Sequence, residues 1–169
     1  LFLFNPSVFY NSSFWGQMDA VNNALFFLAL FSYFNGKKFL KRLFNSIFSL
    51  NYPKNKFEVI FVDNISTDNS VKFTRKNYPK VRIIKNNINN YCKAVNLGVE
   101  ASKAKFVALV NNDTRLDKNW LIELIKVIAR DKRIAAVGSK ILNMAGRIQN
   151  AAHYELPNFY WGERGAGQE

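Results

Sequence analysis

The stretch Glu58-Val59-Ile60-Phe61-Val62-Asp63-Asn64 decides the fold, because an apolar run in it stops abruptly at a carboxylate. A second apolar run, Phe106-Val107-Ala108-Leu109-Val110, leads in the same way into Asn111-Asn112-Asp113-Thr114. Runs that are apolar on both faces and rich in valine and isoleucine are typical of buried strands in a parallel sheet. Ligands bind where the carboxyl ends of such strands meet. We therefore expect neighbouring strands to bring Asp63 and Asp113 to one crevice, where they would suit a nucleobase, a ribose or a metal ion carrying a diphosphate.

Helical and extended patterns alternate along the chain from Gly36 onward. Between residues 39 and 48 apolar residues recur at helical spacing, with lysine and arginine on the opposite side. The elements predicted after this helix are a strand over 58–62, a helix over 66–77 capped by Ser66, a strand over 81–84, a helix over 90–102, a strand over 106–110, a helix over 120–128 and a strand over 134–138. This alternation predicts an α/β fold, with a mostly parallel sheet, right-handed crossovers and helices on both faces.

Charge is unevenly distributed along the 169 residues, whose formal net charge is +12. Residues 1–36 contain one charged residue, Asp19, so the basic excess lies entirely in the remainder. Such an excess favours anionic partners, such as nucleotide-sugars, acidic lipid headgroups or nucleic acid, although a solvated lysine-rich surface explains it equally well. No recognisable nucleic-acid-binding motif is present, so we do not expect a nucleic-acid partner. The lone Cys92 excludes an internal disulfide and a cysteine-rich zinc site, and it fits a reducing, cytoplasmic compartment.

The N-terminal region is strongly apolar and differs from the rest. The run 24–31 is shorter than the roughly 20 residues that a membrane span needs. It is either a buried first strand or part of a membrane-associated segment, since the basic cluster at residues 37–42 follows where a cytoplasmic flank would carry positive charge. The sequence thus divides into an apolar, membrane-associated or poorly packed segment over 1–23, an α/β domain over 24–140 and a further region over 141–169.

Three stretches together resemble family 2 glycosyltransferases of the GT-A fold. The first is Phe34-Asn35-Gly36 followed by residues 62–70, and the second is Asn89 to Gly98. The third, residues 109–114, is closed by Trp120-Leu121 and resembles the metal motif of the family. Order and spacing agree over about residues 25–140, and the bacterial and archaeal rhamnosyltransferase-like enzymes are the most similar branch. Residues 5–31 weakly resemble a loop and helix of multi-span glycosyltransferases that use lipid-linked sugars.

The resemblance implies a Rossmann-like, nucleotide-sugar-binding half with assigned residues. Asp63 would accept a hydrogen bond from the ring N–H of uracil or thymine, because a carboxylate only accepts; a helix-capping aspartate is the alternative. Phe34 and Asn35 would border the base, although Phe34 also suits core packing. Lys93 would lie near the diphosphate, or would be an ordinary surface lysine. The resemblance also implies donor binding by Asn64, Ser66, Asp68, Asn96 and Asn112, with Asp68 equally explained as a first-turn acid.

Asp113 is the metal ligand that the resemblance implies. Mg²⁺ and Mn²⁺ prefer oxygen ligands and often take one or two protein carboxylates together with phosphates and water. The family motif often has an acid where Asn111 or Asn112 stands, so fewer negative charges are present here. A turn aspartate that precedes the next helix is the alternative interpretation of Asp113.

The implied reaction is metal-assisted, inverting transfer of a sugar from a UDP- or TDP-type donor to an acceptor hydroxyl. The acceptor would be a glycan or lipid-linked molecule of a cell-envelope polysaccharide, with a membrane surface as a further candidate partner. The family places its general base in an acceptor half, and residues 141–169 resemble only the start of that half, so no catalytic base is assigned and the chain is expected to be truncated. The alternative function is a non-catalytic, membrane-adjacent module that binds nucleotides or other anions.

Overall fold

The structure, a computed structural model, describes residues 26–32, 36–155 and 161–168, with the backbone alone for 26–32, 152–155 and 161–163. The apolar segment 1–23 and two of the predicted donor-binding residues, Phe34 and Asn35, lie outside the described residues. No helix within the described ranges is long and apolar enough to cross a membrane.

Strands and helices alternate through the first part of the described chain. The elements are β1 (Phe26–Ser32), α1 (Lys37–Phe48), β2 (Phe57–Asn64), α2 (Ser70–Asn77), β3 (Arg82–Asn86), α3 (Tyr91–Ala101), β4 (Phe106–Asn111), α4 (Trp120–Ile128), β5 (Ile141–Leu142), β6 (Ile148–Asn150), β7 (Ala152–Glu155) and β8 (Trp161–Arg164). The first four strands form one sheet in the order β3-β2-β1-β4, and each pairing is parallel. The α/β fold with a mostly parallel sheet is confirmed.

β1 lies between the two strands that carry the predicted acidic loops. It pairs with β2 in a register that sets Ser32 opposite Asp63, and with β4 in a register that sets Phe31 opposite Asn111. The apolar run 24–31 is therefore a strand of the sheet over most of its length. The expectation that β2 and β4 are direct neighbours was wrong, because β1 takes the place between them. Two strand spacings separate their ends by about 10 Å.

The core has two layers, one on each face of the sheet. Leu40, Leu43, Phe44 and Ile47 recur at helical spacing on α1, and all four are fully buried against one face. Helix α4 covers that face as well, whereas α3 covers the other face with Ala94 and Val95. Because helices cover both faces, β2 is buried along nearly its whole length, as its continuous apolar run predicts.

Two predicted elements differ from the structure. Helix α2 begins at Ser70 rather than at Ser66, because the carboxylate of Asp68 accepts the backbone N–H of Ser70 and Asn69 takes a left-handed conformation with φ 64°. The strand predicted over 134–138 does not form, and only Gly138 makes an isolated bridge there. Its two packed residues, Ile134 and Val137, are three positions apart, whereas a strand buries alternate residues.

Phe44 should be the most costly residue of α1 to truncate. Its ring is fully buried and packs 6.3 Å from the ring of Phe61 and 4.6 Å from that of Tyr78, measured between centroids. Phe44→Ala should lower the free energy of unfolding by about 3–5 kcal/mol in urea titrations, because it removes apolar contacts and leaves a cavity. The control Lys41→Ala changes an exposed residue of the same helix and should alter it by less than about 0.5 kcal/mol. Equal effects of the two changes would contradict the described core.

Candidate active site

The candidate site lies at the carboxyl edge of the sheet, where the loops after β2, β3 and β4 emerge. Asp63, at the end of β2, is nearly buried, with 5% of its surface exposed. Its Oδ1 accepts the backbone N–H of Ser66 over a long 3.4 Å. A hydrogen bond at that length is weak, so the carboxylate retains capacity to accept from a stronger donor. Ser66 contacts Asp63 through its backbone and does not cap α2.

Asp68 fastens the loop after β2 to the start of α1. Its Oδ2 accepts the backbone N–H of Lys37 at 2.8 Å, and its Oδ1 accepts the N–H of Ser70 at 3.0 Å together with the Ser70 hydroxyl. Gly36, which precedes α1, has no side chain to cap that helix, so Asp68 does so from 31 residues away. Burial alone would raise the pKa of the Asp68 carboxyl, but these hydrogen bonds lower the pKa below its ordinary value.

A network of asparagine side chains joins the ends of β2 and β3. Buried Asn86 donates from Nδ2 to the Oδ1 of buried Asn64 at 2.8 Å, and also to the backbone oxygen of Ile88. Asn64 donates in turn to the Oδ1 of Asn89 at 2.9 Å. Buried amides that are paired in this way fix the loop between β3 and α3. Sequence reasoning missed Asn86, although its position at the start of an asparagine-rich run was a signal.

The start of α3 carries Lys93 in its first turn. Asn90 caps this helix by accepting the backbone N–H of Lys93 at 2.9 Å, and the ammonium group of Lys93 donates to the Oδ1 of Asn87 at 3.1 Å. Lys93 is partly buried, and Asn96 lies one turn further along with a similar degree of burial. The structure therefore brings a cation and amide groups to the edge that also carries Asp63.

Asp113 lies in the loop after β4 and is exposed, whereas Asn112 beside it is buried. The backbone oxygen of Asn111 accepts the Thr114 hydroxyl at 2.8 Å, which closes the turn. Among the described residues none donates a hydrogen bond to the Asp113 carboxylate. The same residues contain no group of three or more His, Cys, Asp or Glu side chains that could hold a metal ion. One unpaired carboxylate fits a Mg²⁺ or Mn²⁺ ion that takes its other ligands from phosphates and water.

Helix α1 and the segment just after it are attached to this loop at three successive points. Arg42 Nη2 donates to the backbone oxygen of Asp113 at 2.7 Å, and one turn later the Ser46 hydroxyl accepts the N–H of Leu116 at 3.1 Å. Beyond the helix, the N–H of Asn51 donates to the backbone oxygen of Lys118 at 2.7 Å. Sequence reasoning missed Arg42 and Ser46, because neither lies in a motif and both act on residues about 70 positions away.

The model of the family described as glycosyl transferase family 2 matches residues 30–166. The chain belongs to glycosyl transferase family 2. The resemblance of the motif series to this family is thereby confirmed, as is its GT-A fold. The match includes all of the acid-bearing loops and the whole of α1.

Individual relatives match only part of the chain. The poly(ribitol-phosphate) beta-N-acetylglucosaminyltransferase TarS of Staphylococcus aureus is 30% identical over 92 residues, which are 52% of this chain and 16% of TarS. The crystal structure of S. aureus TarS 1–349 in complex with UDP matches with a TM-score of 0.56 and 26% identity over 62% of this chain and 32% of that one. The mannosyltransferase PcManGT from Pyrobaculum calidifontis, in complex with GDP-Man and Mn²⁺, has a TM-score of 0.60 and 18% identity over 73% of this chain and 39% of its own, a likeness of fold. The chain spans less than half the length of each.

Asp68→Asn should make this protein less stable at neutral pH, because an amide oxygen is a weaker acceptor than a carboxylate for the N–H groups of Lys37 and Ser70. The folded-state pKa of Asp68 lies below its unfolded value. The stability that its ionised form adds is therefore present above about pH 4 and is lost as the pH falls further. The difference in urea midpoint between the two proteins should therefore shrink as the pH falls below about 4.

Ser70→Ala tests the cause of that pKa shift. It removes the hydroxyl donor and keeps the Asp68 carboxylate, so the Asp68 pKa should move back toward its ordinary value in a carbon NMR titration. An unchanged pKa in Ser70→Ala would contradict the role given to this hydrogen bond.

Proposed function

We propose that this chain binds the donor of a glycosyltransferase that transfers a sugar from a nucleotide-diphospho-sugar to an acceptor hydroxyl. The observation that carries the proposal is the convergence of two acid-bearing loops at one edge of a parallel sheet, in a member of a glycosyl transferase family. That edge is where open α/β sheets bind nucleotides.

The proposed donor carries a uracil or thymine base, as UDP or TDP. Asp63 accepts a hydrogen bond from the ring N–H of such a base. The base reaches the carboxylate at the small part of the Asp63 surface that is exposed. The match to a TarS structure that contains UDP supports this base. The residues proposed to surround the donor are Phe34, Asn35, Asp63, Asn64, Ser66, Asp68, Lys93, Asn96 and Asn112.

Asp113 is proposed as the protein ligand of a divalent cation, Mg²⁺ or Mn²⁺. Its exposed carboxylate, with the amide oxygen of Asn111 or Asn112 beside it, offers oxygen ligands, which suit either ion. A cation held there would stabilise the leaving diphosphate as a Lewis acid. Lys93 adds a second positive charge on the diphosphate side, where its ammonium group is held by Asn87. The loop after β4 thus stabilises the leaving diphosphate, and Asp63 orients the base of the donor.

The proposed acceptor is a hydroxyl of a glycan or lipid-linked molecule of a cell-envelope polysaccharide. It attacks the anomeric carbon in line with the leaving diphosphate, which inverts the configuration at that carbon. The general base for this hydroxyl has no assigned residue in the chain. Donor binding is therefore the part of the reaction that these residues explain.

Asp63→Ala should weaken UDP binding at least tenfold in calorimetric titration, because it removes a charge-assisted hydrogen bond worth roughly 1.5–3 kcal/mol.

Asp113→Ala should abolish most of the increase in UDP affinity that Mn²⁺ produces in the unaltered chain, since it removes the proposed cation ligand.

Glu100→Ala is the matched control for both changes. Glu100 is exposed near the C-terminal end of α3, away from the carboxyl edge of the sheet, so its loss should leave UDP binding unchanged. The proposal fails when neither UDP nor TDP binds the unaltered chain, or when all three variants bind alike.

We further propose that the outer surface of α1 and α2 faces an acidic membrane surface in the cytoplasm. Apart from Arg42, whose guanidinium group contacts the loop after β4, each of the two helices carries three basic residues, and neither carries an acidic residue. Lys37, Lys72 and Lys76 line an open groove of about 350 Å³ between them. Acidic headgroups attract clustered lysines by about 1 kcal/mol each near the surface. This surface adjoins the candidate site through Lys37, so it would hold the site close to a lipid-linked acceptor.

Charge reversal tests this orientation with liposomes that contain phosphatidylserine. Lys38→Glu combined with Lys76→Glu should reduce flotation with these liposomes, because both residues are exposed on the basic helices. Lys103→Glu combined with Lys132→Glu changes the net charge equally at exposed positions elsewhere and should reduce flotation less. Raising the salt to about 0.5 M should weaken binding of the unaltered chain by screening. Equal losses in the two double variants would refute a specific basic surface.

A further inference from the structure

We propose that Arg42 is a positioning residue for Asp113, which it holds through the main chain of the loop rather than by touching a ligand. The inference rests on the proposed function of Asp113 as a cation ligand. It concerns a residue outside every motif that identified the family.

Arg42 reaches the loop from the side of α1. Its Nη2 donates to the backbone oxygen of Asp113 at 2.7 Å, a charge-assisted bond between residues 71 positions apart. The guanidinium carbon lies 6.0 Å from the centroid of the Phe39 ring, and Nη1 lies 3.9 Å from the sulfur of Met144. Both are weak contacts, and Met144 is 91% exposed, so the short bond to the backbone oxygen of Asp113 is the contact that sets the direction of the guanidinium group.

Of the three attachments to the loop, the bond that Arg42 makes is the one nearest to the end of β4. Ser46 and Asn51 hold the loop at Leu116 and Lys118, so its far end is already restrained. Without Arg42, the described residues would leave Asp113 attached to β4 only through the turn that Thr114 closes. Arg42 therefore restrains the one residue of the loop that has to meet a ligand.

A cation ligand needs this external restraint because Asp113 has none of its own. Its side chain is exposed, and no described residue donates a hydrogen bond to the carboxylate. Productive ligand geometry has a tolerance of about 0.5 Å, which an unsupported loop does not meet. The restraint leaves the carboxylate itself unpaired, since the bond goes to the backbone oxygen.

The environment of Arg42 also argues against a role in stability alone. Its Nε is buried and has no hydrogen-bond partner among the described residues. A buried donor without a partner destabilises the folded state. The stabilising contact that Arg42 makes is therefore the bond from Nη2 to the loop, not one from Nε.

Calorimetric titration of UDP, with and without Mn²⁺, separates positioning from a structural role. Arg42→Met keeps the aliphatic stem and removes the donor, so the Mn²⁺-dependent gain in UDP affinity should fall at least fivefold. The affinity for UDP without the cation and the melting temperature should stay close to those of the unaltered chain. Arg42→Lys keeps a cationic donor and should retain part of the gain. Lys41→Met alters the exposed neighbour and should change neither quantity.

Hydrogen exchange gives a second measurement that needs no ligand. The amide of Thr114, which donates to the backbone oxygen of Asn111 at 3.3 Å beside Asp113, should exchange faster in Arg42→Met, while the amides of Leu116 and of β2 keep their rates. An unchanged Mn²⁺-dependent gain in Arg42→Met overturns this inference alone. Equal loss of both UDP affinities with a lowered melting temperature also overturns it, since Arg42 would then be structural. When the unaltered chain shows no Mn²⁺-dependent gain, the proposed function of Asp113 fails and this inference fails with it.

Discussion

Helix α1 is attached to both acid-bearing loops, and the geometry of the candidate site depends on this double attachment. Its first N–H group donates to Asp68 in the loop after β2, and its side chains hold the loop after β4. The ends of β2 and β4 are not adjacent, because β1 separates them. A sheet alone would leave each loop to find its own position, whereas a shared helix sets the position of one relative to the other.

The apolar face of α1 makes that attachment rigid. Four fully buried side chains fix the helix on the sheet, and the edge-on contact of Phe44 with Phe61 joins it to β2 directly. Closely packed side chains allow little sliding, so the polar bonds at the rim have a fixed base. On the far side of β2, the pairs made by Asn64 and Asn86 play the corresponding role for the loop before α3. Core packing and hydrogen bonds at the edge of the sheet thus both restrain the loops after β2, β3 and β4.

Local sequence pattern predicted the helices and strands themselves better than it predicted which of them are neighbours. The double-sided apolar runs of β2 and β4 and the helical spacing of α1 depend on burial within one segment, so the sequence displays them. The position of β1 between its partners, the capping of α1 by Asp68 and the reach of Arg42 all join distant segments, and no local pattern encodes them. The position of Ser66 alone predicted it as the cap of α2. The carboxylate of Asp68, two residues later, is a stronger acceptor and takes the N–H of Ser70, so the helix begins there.

The interior position of β1 has a consequence for how the chain folds as it is synthesised. Units such as β2-α2-β3 close over short separations in sequence, which favours early formation. The pairing of β1 with β4 joins residues about 80 positions apart, so that half of the sheet remains open until residue 111 has left the ribosome. Meanwhile one edge of a very apolar strand offers unpaired N–H and C=O groups to any other extended chain. The nascent protein is therefore exposed to misassembly over this interval, and a chaperone that shields strand edges would act most usefully there.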